Sequence, residues 1–184
     1  NGNAAHGIAS DDDIKIVSGD IRIIVRKDGV QGRDSIAVMG GSVMIEAGSD
    51  GLQSTNDEDA GEGNIFIEGG VFKITSEQDG IQAVNILAIR NGKFDITSGG
   101  GSAEADIGAM TQWGDWDHQE TASDSDDSAK GLKTGAQLYI FDGDFQIDSA
   151  DDTVHSDGVI QILGGVFELK SGDDGLHADT LLGF

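Results

Sequence analysis

Corner dipeptides recur along this chain at a fixed interval, and that interval decides what it can fold into. His6-Gly7, Asp28-Gly29 and Asp50-Gly51 lie 22 residues apart. Asp79-Gly80 follows after 29 residues and Lys130-Gly131 after 51, then Asp152-Thr153 and Asp174-Gly175 after 22 each. The two long intervals are one period plus 7 and one period plus 29 residues, so insertions at approximately 55–63 and 100–128 interrupt an array of seven units, the last incomplete. A unit this short cannot bury an apolar face alone and must stack on its neighbours.

Removing the insertions aligns five apolar columns. The first is Ile8, Val30, Leu52, Ile81, Leu132, Val154 and Leu176. The second is Ile14, Ile36, Ile65, Leu87, Leu138, Ile160 and Leu182, and the third Ile16, Val38, Ile67, Ile89, Ile140, Ile162 and Phe184. A glycine column (Gly19, Gly41, Gly70, Gly92, Gly143, Gly165) precedes the fourth: Ile21, Val43, Phe72, Phe94, Phe145 and Phe167. The fifth is Ile23, Ile45, Ile74, Ile96, Ile147 and Leu169. Within each unit apolar and polar residues alternate, the mark of strands with one buried face. Three short strands per 22 residues predict an all-β, right-handed parallel β-helix of about seven coils, spanning 1–184 as a single domain. Each coil should rise by ~4.8 Å and stack like on like. An antiparallel barrel would not preserve the identity of a column.

Charge narrows the partners. The 34 acidic residues against 11 basic ones leave a net charge of −23. Nucleic acid, which needs clustered Lys and Arg, is excluded, and an anionic membrane surface is disfavoured. No apolar stretch approaches the ~18 residues that membrane insertion requires. Cysteine is absent, so no disulfide forms, and this is silent about compartment. The chain opens without Met or a signal peptide, which reads as a mature or excised segment.

Three stretches, "DGIQAVNILAIRNGKFDITSGGGSAEA", "SAKGLKTGAQLYIFDGDFQIDSADDTVHSDG" and "SGDDGLHAD", carry a resemblance. They are similar to the calcium-containing β-helix family of bacterial surface proteins labelled carbohydrate-binding domain-containing, whose fold resembles that of polysaccharide lyases. The likeness covers roughly residues 28–182, including the order of an acidic insertion, the "GGGSAEA" start of a long polar loop, and "AKGLK". The resemblance implies an extracellular or cell-surface protein, bound Ca2+ and affinity for polysaccharide.

The corner column reads His6, Asp28, Asp50, Asp79, Lys130, Asp152, Asp174, and Asp151 and Asp173 precede its last two members. For the isolated Asp28, Asp50 and Asp79, tight Asp-Gly turns that tolerate positive φ are a sufficient explanation. The doubled pairs are different. Asp151, Asp152, Asp173 and Asp174 place four negative charges one coil apart, repulsion that a hard dication with oxygen ligands would reverse. With the resemblance, these four are the candidate Ca2+ ligands. The "NDEDAGEG" insertion has alternating oxygens but lacks the twelve-residue calcium-loop pattern. His155 and His177 share one outward column and Asp157 and Asp179 another, a set that could hold a transition metal or form a surface polar ladder.

The outward column of the first strand reads Ala9, Gln31, Gln53, Gln82, Lys133, His155, His177. Its amides could pair with sugar hydroxyls or with one another. Both insertions flank this strand and would wall a cleft over Gln53, Gln82 and Lys133. The long insertion carries Trp113 and Trp116, whose flat faces suit pyranose rings or would pin the loop to the solenoid. The expected function is therefore a non-catalytic, calcium-dependent carbohydrate-binding module for polysaccharide, an acidic one in the first instance. Two alternatives stand beside it. Lys130 or Lys133 with calcium could make a polysaccharide lyase. Uncapped ends could stack copies end to end into a homo-oligomeric filament.

Overall fold

A computed structural model of the protein describes residues 5–104 and 129–184. Strands of three to six residues wind into a parallel β-helix with three sheets. The first sheet stacks Ile8–Ser10, Val30–Gly32, Leu52–Ser54, Ile81–Ala83, Leu132–Thr134, Val154–Ser156 and Leu176–Ala178. The second stacks Asp13–Ile16, Ser35–Val38, Asn64–Ile67, Ile86–Ile89, Gln137–Ile140, Val159–Ile162 and Leu181–Gly183. The third stacks Asp20–Val25, Ser42–Ala47, Val71–Ser76, Lys93–Ser98, Asp144–Ser149 and Val166–Ser171. Every pairing is parallel, and its register is the repeat: Val30 opposite Leu52, Leu87 opposite Leu138, Phe94 opposite Phe145. Among the described residues the sole helical turn is a 3-10 turn at Ser102–Glu104.

Alternation places the five columns inside. Val30, Leu52, Ile81, Leu132 and Val154 are fully buried, as are Ile36, Ile65, Leu87, Leu138 and Ile160. The four phenylalanines form one continuous stack with centroids 4.7–4.8 Å apart and planes within 5°. Isolated aromatic rings prefer offset or edge-to-face arrangements. Here the interstrand spacing sets the distance, so the rings lie flat because the backbone leaves them nowhere else to go. The last coil departs from expectation. Leu182 is 38% exposed and Phe184, assigned to the third column, 84%. Leu181–Gly183 has a paired neighbour on one side only, so nothing covers them.

Glycines serve two different purposes. Those before the third strand take positive φ, as at Gly92 (145°), where a Cβ would also lie 2.9 Å from the Phe94 ring. Those of the Asp-Gly corners do not, which corrects the positive-φ explanation. At Gly80 a Cβ would stand 2.5 Å from the Gly131 carbonyl oxygen and 2.5 Å from Ile96 Cγ2. Glycine is required there because successive coils approach too closely for any side chain.

Both insertions leave from corners. Asn56, 2% exposed, closes the first by donating to Asp34 Oδ1 at 2.6 Å and accepting the amides of Glu58 and Asp59 at 3.0 Å. The second departs through Gly99, Gly100 and Gly101, all at positive φ. The Ser102 amide then donates to Asp148 Oδ1 at 2.6 Å, which holds the Asp148 carboxyl below its usual range.

Candidate functional site

The corner column is not a row of exposed turn residues. Asp28, Asp50, Asp79 and Asp152 are between 2% and 4% exposed. Each turns Oδ1 toward the next coil and accepts a backbone amide there. Asp28 takes that of Asp50 (3.2 Å), Asp50 that of Asp79 (2.8 Å), Asp79 that of Lys130 (2.8 Å) and Asp152 that of Asp174 (3.0 Å). The repeated acids thus satisfy corner amides that the sheets leave unpaired. This is structural work, and it explains why the residue recurs through both insertions.

The second carboxylate oxygen meets the outward column of the first sheet. Asp28 Oδ2 accepts from Gln31 Nε2 at 3.2 Å and lies 2.8 Å from His6 Nδ1, without hydrogen-bonding alignment to the latter. Asp79 Oδ2 lies 3.3 Å from Lys133 Nζ. Asp152 and Asp174 face the Nδ1 atoms of His155 (2.8 Å) and His177 (3.2 Å). Asp50 has Asp28 below and Asp79 above. Burial first, then those two charges, push its pKa up to about 7.

The glutamines form a ladder: Gln31 Nε2 donates to Gln53 Oε1 and Gln53 Nε2 to Gln82 Oε1, both at 3.1 Å. Gln53, Gln82 and Lys133 therefore come together in one outward column, as the register required, but each is engaged with a protein partner. Trp113 and Trp116 lie outside the described residues.

At the doubled corners Asp151, Asp152 and Asp173 offer carboxylate oxygens within 4.8 Å of one another. The donor set is all oxygen, which suits a hard cation. Lys130 Nζ is ion-paired to Asp151 Oδ2, so a cation here replaces or shares with an ammonium. Burial alone would raise the Asp152 carboxyl, but hydrogen bonds from His155 and the Asp174 amide outweigh it and bring its pKa below the ordinary value. Asp174 belongs to a neighbouring arrangement, its Oδ2 directed at His177.

A groove of about 470 Å³ lies elsewhere, on the outer face of the third sheet. Val71, Lys73, Lys93, Asp95, Asp144, Gln146, Val166 and Glu168 line it, from four successive coils. Lys73 pairs with Asp95 at 2.6 Å and Lys93 with Asp144 at 3.6 Å, leaving polar groups along its length and exposed valines at its rim. A second hollow continues it over Thr97, Asp148 and Lys170.

The family model for carbohydrate-binding domain-containing proteins matches residues 1–175. The chain belongs to this family. No curated protein and no solved structure matches it.

For a member of a carbohydrate-binding family, the third-sheet groove is the feature that sequence reading missed. Apart from the buried Phe72, Phe94 and Phe145, its lining residues occupy outward positions of strands, and periodicity reports only that such positions face water. Neither lysine proposed as a lyase base sits in apolar surroundings. Lys130 is held by Asp151 and Lys133 by Asp79. No helix among the described residues is long and apolar enough to cross a membrane.

Proposed function

We propose that the protein is a non-catalytic, calcium-dependent polysaccharide-binding module acting outside the cell or on its surface, with an acidic polymer as ligand. The observation that carries this reading, beside family membership, is the third-sheet groove. Its lining repeats once per coil, at the 4.7–4.8 Å spacing of the phenylalanine stack beneath it. That spacing is comparable to the length of one pyranose residue, so a chain lying along the solenoid axis meets an equivalent set of polar groups at each sugar. Val71 and Val166 offer apolar contact for ring faces, while Lys73, Lys93, Gln146 and Glu168 offer donors and acceptors.

Calcium enters for an electrostatic reason. A protein of net charge −23 repels a polyuronate unless a cation intervenes. Asp151, Asp152 and Asp173 would hold such an ion, which supplies charge neutralisation and oxygen coordination.

Pull-down on immobilised polyuronate and on cellulose, with calcium and with chelator, tests the proposal. Retention on polyuronate is expected to need calcium and to fall in Lys73→Ala/Lys93→Ala. If Trp113→Ala/Trp116→Ala or Gln53→Ala/Gln82→Ala weakens it instead, the first-sheet face is the binding surface. Binding to cellulose that ignores chelator removes the calcium bridge. Release of unsaturated, ultraviolet-absorbing products makes the protein a lyase, and ordered fibres without glycan binding make it a filament subunit.

A further inference from the structure

The last two coils carry a device that the others lack. In the outward column of the first sheet, Gln31, Gln53, Gln82 and Lys133 are followed two residues on by Arg33, Thr55, Val84 and Gly135. Where the column turns to histidine, at His155 and His177, that second position turns to acid, Asp157 and Asp179. The pairing appears twice, in consecutive coils, and the structure brings its members into contact. His155 Nε2 lies 2.9 Å from Asp157 Oδ1, and His177 Nε2 lies 3.1 Å from Asp179 Oδ1. The two rings stack with centroids 5.0 Å apart, and their Nδ1 edges face Asp152 and Asp174.

We propose that His155, His177 and Asp152 form a site for a divalent transition metal of zinc-like character, bridging the last two coils and sharing Asp152 with the all-oxygen set of Asp151, Asp152 and Asp173. Ligand atoms of these three residues already lie within 4.8 Å of one another. Bonds of ~2.1 Å to nitrogen and oxygen require the stacked rings to tilt until both Nδ1 lone pairs meet at one point. Two imidazoles with one carboxylate select a borderline metal over calcium, which takes oxygen ligands. The outer carboxylates complete the case. A metal-binding histidine characteristically donates its other ring N–H to a carboxylate, which fixes the tautomer and aims the free lone pair. Asp157 and Asp179 stand where that role requires, and the ion would replace the present Nδ1 contacts to Asp152 and Asp174. Asp174 Oδ2, 3.2 Å from His177 Nδ1, is a candidate fourth ligand.

A shared dication also answers the negative charge around the rings. Two imidazolium rings stacked at 5.0 Å repel each other, whereas one dication shared between two neutral rings delivers the same charge without that repulsion. Four carboxylates, Asp152, Asp157, Asp174 and Asp179, surround the pair and accommodate it.

The test is calorimetric titration of chelator-stripped protein with zinc chloride in a background of millimolar calcium, with cobalt as a spectroscopic stand-in. One equivalent of zinc is expected to bind despite the calcium, and cobalt to give visible d–d absorption. His177→Gln, at a half-exposed position that leaves the core intact, should abolish that equivalent. Asp179→Asn should keep the ligands yet weaken affinity by roughly 10- to 100-fold. Equal zinc affinity in wild type and His177→Gln overturns the proposal, as does displacement of zinc by calcium. An unchanged affinity in Asp179→Asn overturns the role given to the outer carboxylates, and no zinc binding at all makes the cluster a surface polar ladder.

Discussion

Asp50 Oδ1 accepts the amide of Asp79 at 2.8 Å, and the two carboxylates stand in adjacent coils, each 2% exposed. One residue type thus performs a needed hydrogen bond and creates a repulsion. The first is present at every pH; the second only when both groups are ionised.

Stability should therefore depend on pH through Asp50. Its folded pKa is raised to about 7, above the ordinary 3.8. Below the ordinary value both folded and unfolded chains are protonated there and the group costs nothing. As pH rises from about 4 to 7 the unfolded chain releases its proton first, so stability is lost, by up to about 4 kcal/mol at about 1.4 kcal/mol per tenfold. Asp50→Asn keeps the acceptor and removes the charge. Urea unfolding should find it more stable than wild type at pH 8 and nearly equal at pH 4.

Gly80→Ala should destabilise strongly for want of space. Its Cβ would meet the Gly131 carbonyl and Ile96 Cγ2, both at 2.5 Å. A loss of about 1–3 kcal/mol is expected from overpacking. Gly69→Ala, with nothing within 4 Å and no positive φ, should be neutral or slightly stabilising in the same thermal melts.

Phe94→Ala removes the middle of a stack from which no neighbour can collapse, because Phe72 and Phe145 are pinned by their own strands 4.8 and 4.7 Å away. A cost of about 3–5 kcal/mol is expected. Phe167→Ala, at the half-buried end of the column, should cost distinctly less by the same denaturant titration.

Calcium should raise the melting temperature if Asp151, Asp152 and Asp173 bind it, since a ligand of the folded state stabilises by mass action. Chelator should lower it, and Asp173→Asn should abolish the difference. An identical melting temperature with and without chelator at low salt and neutral pH would remove calcium from the account.

The interior is legible in the sequence because stacking makes one residue's environment repeat six or seven times. Ile45 and Ile74 are buried for the same reason, and the column says so. The corner chemistry was harder. Placing Asp152 and His155 in separate columns concealed that they touch, since a column reports which way a side chain leaves the backbone and not which neighbour it then finds. The Asp-Gly pattern reads locally as a turn, although the true constraint on its glycine is the carbonyl of the next coil, which no local pattern encodes. Phe184 shows the converse: a residue in register with a buried column stays exposed where nothing stacks above it.

Lys130 donates its amide to Asp79 across 51 residues of chain at 2.8 Å, the distance at which Asp79 reaches Asp50 across 29. The corner is thus indifferent to how much sequence passes between its two sides. Closing a loop grows costlier only with the logarithm of its length, so lengthening a 22-residue circuit to 51 costs roughly 0.7 kcal/mol. A solenoid of this kind works as a splice-tolerant spine: new segments can enter at its corners, acquire function of their own, and leave the register of every other coil unchanged.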